Sequence, residues 1–311
     1  MSVQGQPPIL FVVGPTASGK TDAGLAIVDA LRASGAAGEI VNADSRQVYR
    51  GMSIGTAKPT PDQLARAPHH LIDVADPSDG FSLAAFLELS RLAVIEILSR
   101  GAIPVVVGGT GQYIWGLAEG WHAPEVEPNK EIRERLQAVV AAAGVEVLYQ
   151  RLKSVDAKAA TLMDPRNARR IIRALEVIET TGRLFSEQRT KVPPLFAPLM
   201  LAISLPRADL YCRIDSRIDS MLISGWVEEV KELLTAGYSP SLPAFSSAGY
   251  REIAMLLAGT VNISDVAEKT KAATHKLARS QANWFRATDE RISWHHEVND
   301  LVQNALHAFY P

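Results

Sequence analysis

Short apolar runs alternate with helical patterns over the first third of the chain. The apolar runs cover 9–13, 39–43, 71–74 and 103–107, and a helical periodicity covers 20–33 and 82–98. Strands that alternate with helices in this way usually lie side by side in one parallel sheet. The pattern therefore predicts an α/β fold, a parallel sheet flanked by helices.

The middle of the chain has helical periodicity alone. The helical pattern runs from 125 to about 181, and prolines at 193, 194 and 198 then interrupt it. A strand pattern follows at 199–205, with helical patterns at 208–224, 227–236, 250–257 and 264–287. We therefore predict a core formed by 1–120 and 195–311, interrupted by an all-helical insertion domain at 121–194.

Composition and charge exclude several classes of protein. No apolar run approaches the roughly 20 residues that a membrane-spanning helix needs, so no membrane span is expected. The single cysteine, Cys212, excludes an internal disulfide and a multi-thiolate metal site, and is typical of a cytoplasmic protein. A net charge of −2 gives no global sign of a nucleic-acid partner. Basic residues nevertheless outnumber acidic ones at 164–191 and 269–291, as on a solvated helix face or on a surface for an anionic ligand.

A glycine-rich turn between the first strand and the first helix has the spacing of a phosphate-binding loop. Its candidate ligand-binding residues are Gly14, Thr16, Ala17, Ser18, Gly19, Lys20 and Thr21. The glycines allow backbone N–H groups to surround a phosphate, Lys20 adds positive charge, and the Thr21 hydroxyl can hold Mg²⁺. The motif does not identify which phosphorylated molecule binds.

An acidic residue follows the second strand. The apolar strand at 103–107 ends in Gly108-Gly109-Thr110, without an acid, whereas the strand at 39–43 leads directly to Asp44. Asp44 is therefore either an acid that holds a metal ion or a catalytic base, and chain position leaves both open.

Several longer motifs accompany the phosphate loop. They are 42–51 (NADSRQVYRG), 54–59 (IGTAKP), 68–73 (PHHLID), 108–110 (GGT), 164–170 (DPRNARR), 173–176 (RALE), Arg213-Ile214, Arg217 and Gly249-Tyr250. In this combination, over nearly the whole length, the sequence resembles the bacterial tRNA dimethylallyltransferase family. The departures from the family pattern are Gln112, Ser247-Ala248 and Ser280.

The resemblance implies a reaction and a fold. A dimethylallyl group would pass from dimethylallyl diphosphate to the exocyclic amine of adenosine 37, next to the anticodon of tRNA, with release of diphosphate. The core would be related to P-loop kinases, and the helical insertion would close over the anticodon stem-loop. Mg²⁺ is the expected cofactor, and we expect a cytoplasmic monomer.

The resemblance also implies roles for particular residues. Asp44 would be the base, Thr110 would lie near the bridging oxygen, and Lys20, Arg213 and Arg217 would stabilise the leaving diphosphate. The residues expected to contact tRNA are Asp44, Ser45, Gln47, Arg166, Arg169, Arg170, Arg173, Lys276, Arg279 and Arg286.

The residue pattern leaves alternatives to these roles. At 100° per residue, the four arginines between 166 and 173 fall on one helix face, as do the three basic residues of the C-terminal helix. Asp44 would cap a following helix if it had no catalytic role, and Arg213 and Arg217 would pair with Asp209 or Asp215. A small-molecule kinase and a non-catalytic RNA-binding protein are the competing functions.

Overall fold

The computed structural model describes residues 6–122, 124, 126–127, 129–188 and 190–310, which form two compact units. The first unit combines Met1–Ala118 with Pro194–Pro311, and the second is Glu119–Pro193. The first unit is therefore discontinuous in sequence, and the second is inserted into it. Among the described residues, no helix is both long and apolar enough to cross a bilayer.

The secondary structure elements are numbered along the chain. The strands are β1 (Pro8–Val13), β2 (Gly38–Asn42), β3 (His69–His70), β4 (Ile103–Gly108), β5 (Trp121–His122), β6 (Thr190–Lys191), β7 (Ala197–Ile203) and β8 (Ile292–His295). The helices are α1 (Lys20–Ala33), α2 (Pro61–Arg66), α3 (Leu83–Ser99), α4 (Gly111–Ala118), α5 (Lys130–Ala143), α6 (Val145–Val155), α7 (Ala157–Thr161), α8 (Ala168–Thr181), α9 (Phe185–Gln188), α10 (Arg207–Ile223), α11 (Trp226–Thr235), α12 (Tyr250–Leu257), α13 (Ile263–Ala282) and α14 (Val298–His307).

The first unit contains a six-stranded parallel sheet in the order β3-β2-β4-β1-β7-β8. The central strand β1 pairs with β4 on one side and β7 on the other, so Val12 lies beside both Val107 and Leu201. Parallel strands all present their carboxyl ends at one edge of a sheet, which is where α/β proteins bind ligands. The segments that follow β1, β2 and β4 therefore meet there. The predicted fold class is confirmed.

Among the described residues, the sheet and the helices of the first unit are supported by hydrophobic cores. Leu10 and Val12 of β1 pack with Leu25 of α1 and Leu301 of α14, so α1 and α14 cover the sheet together. A second core joins α10, α11, α12 and α13 around the fully buried side chains of Trp226 and Tyr250. Burial of such aromatic side chains stabilises the helical part of the first unit.

Polar side chains begin several of the helices. Ser82 accepts the N–H of Ala85 at the start of α3, and Asn262 accepts the N–H of Asp265 at the start of α13. These side-chain oxygens satisfy N–H groups that the first turn of a helix leaves without partners. The helical patterns predicted from 82 and from 264 begin within one residue of these two helices.

The second unit is helical, with a core of its own formed by α5, α6 and α8. Leu136, Leu148 and Ile171 are almost fully buried there. The short strands β5 and β6, which the sequence pattern did not predict, pair in an antiparallel ribbon near the two ends of the unit. The unit spans 119–193, against the predicted insertion at 121–194.

Two predicted elements of the first unit are wrong. Residues 71–74 are not a strand, because β3 ends at His70, and Leu71 and Asp73 then adopt left-handed backbone conformations that no strand accommodates. The predicted helix at 264–287 ends at Ala282, and β8 and α14 follow it.

Candidate active site

The phosphate loop lies between β1 and α1, as the sequence predicts. Gly14, Ala17 and Gly19 have φ values of 139°, 64° and 93°, so the loop turns through conformations that glycine adopts most readily. The first N–H groups of α1 have no acceptor within the helix and carry its positive dipole. The loop and the start of α1 thus form a site for an anion.

A cavity of about 500 Å³ opens over this loop, and we call it cavity 1. Most of the residues predicted to bind diphosphate line it, together with Asp44 and Gln47. These lining residues are Thr16, Ala17, Gly19, Lys20, Thr21, Asp44, Gln47, Arg213 and Arg217. Gly14 and Ser18 are not among its lining residues. Ser18 is buried, and its hydroxyl has no hydrogen-bond partner among the described residues.

A second cavity of about 480 Å³, cavity 2, adjoins the same loop. Much of its wall is apolar, with Ile218, Met221, Trp226 and Phe245 from the helical core. Ser45 and Thr110 line it as well. The residues shared by the two cavities are Thr16, Ala17, Asp44, Thr56, Ala57 and Arg217. A carboxylate and a guanidinium therefore stand where the cavities meet.

Asp44 is positioned by the end of β2 and by a turn. Its Oδ1 accepts the N–H of Arg46 at 2.8 Å. No helix follows, since 45–60 is turn and loop and α2 begins at Pro61. The capping alternative for Asp44 is therefore wrong, and its carboxylate lines both cavities instead.

Thr110 lies beside Asp44 because the ends of β2 and β4 approach each other closely. A Cβ at Gly108 would lie 2.2 Å from the carbonyl oxygen of Ala43, so only glycine permits this approach. The Thr110 hydroxyl accepts the N–H of Ser45 at 3.0 Å. Thr110 and Ser45 thus form one polar wall of cavity 2.

Burial lowers the pKa of two cationic groups in cavity 1. Burial lowers the pKa of Lys20 to about 8, with Asp44 opposing the shift and Arg217 adding to it. Burial likewise lowers the pKa of Arg217, against the opposing charges of Asp44 and Asp22. Because burial disfavours the charged forms of these groups, the cavity is suited to an anionic ligand, which would stabilise the positive charges.

Arg213 and Arg217 lie on α10 and line cavity 1. Among the described residues, neither pairs with Asp209 or Asp215; Asp215 instead lies 2.9 Å from Nε2 of His275. The alternative role of these arginines in surface ion pairs on their own helix is therefore wrong.

The predicted arginine face of the second unit is only partly present. Arg169 and Arg170 are exposed on α8, but Arg166 precedes the helix and pairs with Asp164 at 3.1 Å. Arg173 is half-buried and donates to the fully buried Glu176 at 2.9 Å and to the carbonyl of Val126 at 2.7 Å. The common face of four arginines is wrong, because Glu176 draws Arg173 inward.

The predicted basic group on the C-terminal helix is also divided. Lys276 and Arg279 are exposed on α13, and Arg279 donates to the Tyr211 hydroxyl at 3.0 Å. Arg286 lies beyond the end of the helix at Ala282, so its predicted place on the same helix is wrong.

Two residues that the sequence motifs do not identify organise the site. Glu229 accepts the N–H groups of Ser53, Ile54 and Gly55 at 2.7, 2.6 and 3.3 Å, and the Tyr250 hydroxyl at 2.7 Å. It therefore holds the loop that carries Thr56 and Ala57 to both cavities. An acid in the first turn of a helix ordinarily complements the helix dipole, so no sequence signal distinguished it.

The second missed residue is Gln281, near the end of α13. Its Oε1 accepts the N–H of Thr16 in the phosphate loop at 2.7 Å. Gln47 is attached to the loop that Glu229 holds. Its Nε2 donates to the carbonyl oxygens of Thr56 and Ala57 at 3.2 and 2.9 Å.

A phosphate loop at the carboxyl edge of a parallel sheet, with partly buried cations and a carboxylate beside it, defines a P-loop fold with a site suited to an anion. Residues 47–288 match the model of the family described as IPP transferase. The chain belongs to this family, as the sequence motifs predict.

Similar proteins agree with this assignment. A tRNA dimethylallyltransferase of Roseiflexus sp. (strain RS-1) is 44% identical over 96% of each chain, and one of Chloroflexus aurantiacus is 45% identical over 92% of this chain and 95% of its own. The crystal structure of the full-length tRNA isopentenylpyrophosphate transferase of Bacillus halodurans matches with a TM-score of 0.70 and 32% identity, over 98% of this chain and 97% of that one. A eukaryotic dimethylallyltransferase acting on tRNA matches with a TM-score of 0.73 and 26% identity, over 93% of this chain and 73% of that one.

Proposed function

We propose that this protein transfers the dimethylallyl group of dimethylallyl diphosphate to the exocyclic amine of adenosine 37 in tRNA and releases diphosphate. The observation that carries the proposal is the position of Asp44 and Arg217 where cavity 1 meets cavity 2. One cavity suits a diphosphate, and the other has an apolar wall. The names of the relatives support the same reaction.

The nucleophile needs a base. The lone pair of an adenine amine is delocalised into the ring, so the amine attacks well only if its proton is removed as the carbon–nitrogen bond forms. We infer that the Asp44 carboxylate accepts that proton. The new bond joins the amine nitrogen to C1 of the allyl group, and the broken carbon–oxygen bond leaves its electron pair on diphosphate.

The leaving group needs positive charge. Negative charge grows on the diphosphate as the carbon–oxygen bond breaks, and Lys20, Arg213 and Arg217 line the cavity in which we place it. Fixed cations and N–H groups stabilise developing charge without having to reorganise. Thr110, a neutral donor, would lie near the bridging oxygen.

The donor atoms of cavity 1 fit Mg²⁺. Thr21, Asp22 and Asp44 supply oxygen atoms there, which this ion prefers. Among the described residues, no three His, Cys, Asp or Glu side chains form a metal site by themselves. Mg²⁺ usually binds through one or two protein oxygens together with substrate phosphates, and when bound it neutralises charge on the diphosphate. We propose Thr21 as its protein ligand.

The tRNA would bind through its anticodon stem-loop. Ser45 and Gln47 follow Asp44 and line the cavities, so they are the candidates to contact the target base. Arg169, Arg170 and Lys276 are exposed and available to phosphates. We expect the enzyme to act as a monomer, and we place it in the cytoplasm.

The test is transfer of label from dimethylallyl diphosphate to unmodified tRNA in the presence of Mg²⁺. We expect label in tRNA carrying adenosine 37 and none in a matched tRNA carrying guanosine there. We also expect Lys20→Ala and Arg217→Ala to weaken use of the diphosphate about 10- to 100-fold, as for lost hydrogen bonds to charged groups, while tRNA affinity is retained. Phosphate transfer from ATP to a small molecule, or RNA binding without label, would contradict the proposal.

A further inference from the structure

One peptide unit of the phosphate loop is held at both of its polar ends. Lys20 Nζ donates to the carbonyl oxygen of Pro15 at 2.6 Å, and the N–H of Thr16 donates to Oε1 of Gln281 at 2.7 Å. These two groups belong to the same planar peptide bond. Fixing both of them fixes the orientation of the peptide plane, and with it the direction in which the loop turns.

The side chain of Gln281 is built into the site rather than resting on its surface. It is only 8% exposed, and it comes from a helix 265 residues further along the chain. A Cβ at Gly109 would lie 2.5 Å from its Nε2 and 3.1 Å from the carbonyl oxygen of Gly14. The amide of Gln281 is therefore packed against the glycine-rich turn after β4 as well as against the phosphate loop.

We propose that Gln281 is a positioning residue that keeps the phosphate loop in the conformation that binds diphosphate. This inference rests on the proposed function, because it takes the ligand of the loop to be the diphosphate of the prenyl donor. A loop already held in its binding conformation does not have to be ordered when the ligand arrives. Without Gln281, the Pro15–Thr16 peptide would be held at its carbonyl end alone.

The first test is the affinity for inorganic diphosphate with Mg²⁺, measured by calorimetry on the full chain. Gln281→Met keeps the length of the side chain but removes the acceptor for Thr16. We expect diphosphate to bind about fivefold more weakly, the usual effect of one lost hydrogen bond. Gln303→Met, the same change at an exposed position of α14, is the matched control and should leave the affinity unchanged.

Turnover separates a positioning role from a merely structural one. For Gln281→Met we expect KM for dimethylallyl diphosphate to rise by a similar factor, while KM for tRNA and the thermal midpoint stay near those of the wild type. If both KM values rose together, Gln281 would contact RNA or support the fold in general, and the proposal would be overturned.

A double-mutant cycle with Gly109 provides a second measurement. Gly109→Ala should push the Gln281 amide away and weaken diphosphate binding in the wild-type background. In a Gln281→Ala background the space is vacant, so the same substitution should cost less. Strict additivity of the two changes would contradict the role given to the Gln281 amide.

Four further results bear on the inference. An unchanged diphosphate affinity in Gln281→Met would overturn it. A tighter affinity would overturn it as well, by showing that Gln281 competes with the anion for the Thr16 N–H. If Gln281→Met did not fold, the Gly109→Ala titration would decide. If the wild type failed to prenylate tRNA, the proposed function would fall, but the diphosphate titrations would still report the effect of Gln281 on the loop.

Discussion

Cavity 1 and cavity 2 share one wall but are built in different ways. Cavity 1 takes many of its groups from contiguous motifs, the phosphate loop and the segment that begins at Asp44. Much of cavity 2 is assembled from α10, α11 and α13, which meet only in the folded chain. The phosphate loop and the segment at Asp44 are therefore encoded locally, whereas the shape of the apolar wall depends on helix packing.

The residues that depart from the family pattern lie at cavity 2 and not at cavity 1. Gln112, Ser247, Ala248 and Ser280 all line cavity 2, and none of them is among the described residues that line cavity 1. The preferences of this protein for its organic substrates should therefore differ from those of its relatives more than its handling of diphosphate does.

The largest expected effect is at the junction of the cavities. Asp44→Asn should lower the single-turnover rate of prenyl transfer at least 10²-fold, since it removes the base while conserving shape. Affinities for diphosphate and tRNA should change little. Asp62→Asn, an exposed aspartate of α2, is the control. If Asp44→Asn kept a rate near that of the wild type, Asp44 would not be the catalytic base.

The second-largest effect is a pH dependence of diphosphate affinity, and it arises from Lys20 in cavity 1. Because the pKa of Lys20 is about 8, the unliganded lysine loses its charge as the pH rises through this value. Diphosphate favours the charged form, so binding above pH 8 requires proton uptake. Affinity should fall about tenfold between pH 7 and pH 9. Lys20→Arg stays charged and corrects for the ionisation of the ligand; an equal pH dependence in both proteins would contradict this assignment.

A smaller effect should reach both cavities at once. Glu229→Ala leaves three neighbouring N–H groups without their carboxylate and should lower the free energy of unfolding by about 2 kcal/mol. KM should rise several-fold for both substrates, because the loop that carries Thr56 and Ala57 lines both cavities. Glu228→Ala, an exposed acid in the same helical turn, controls for the helix dipole. A change in one KM alone would show that the loop serves one cavity.

The smallest effect lies in the second unit. If Arg169 or Arg170 contacts a tRNA phosphate, its replacement by alanine should reduce the slope of log affinity against log salt by about 0.7 to 1. Arg173→Ala should instead lower the thermal midpoint, because the buried Glu176 loses one of its two arginine partners. If alanine variants of Arg166, Arg169 and Arg170 kept the wild-type salt slope, the RNA-binding surface would have to be assigned to Lys276 and Arg279 instead.

The sequence predicts what short segments determine. The phosphate loop and the strand that leads to Asp44 are local patterns, and both are confirmed as structure. Gln281 and Glu229 escaped prediction because their partners lie 265 and about 175 residues away. Arg173 and Arg169 look alike in sequence, and only the burial of Glu176 separates them. The roles of the site residues in catalysis and RNA binding stay predictions.

The ribbon of β5 and β6 bears on how the chain folds. Trp121 pairs with Lys191, so the chain enters and leaves the second unit at neighbouring points. The entropic cost of closing a loop grows with its length. To bring β7 beside β1 in the sheet, the chain must close a loop that includes the whole inserted unit, Glu119–Pro193. Once the ribbon has formed, the inserted unit costs the chain no more entropy than a short connection would. Its interior is already ordered around Leu136 and Ile171. The inserted unit can thus change in length without slowing the closure of the sheet, which leaves its surface free to vary while the sheet and its phosphate loop stay the same.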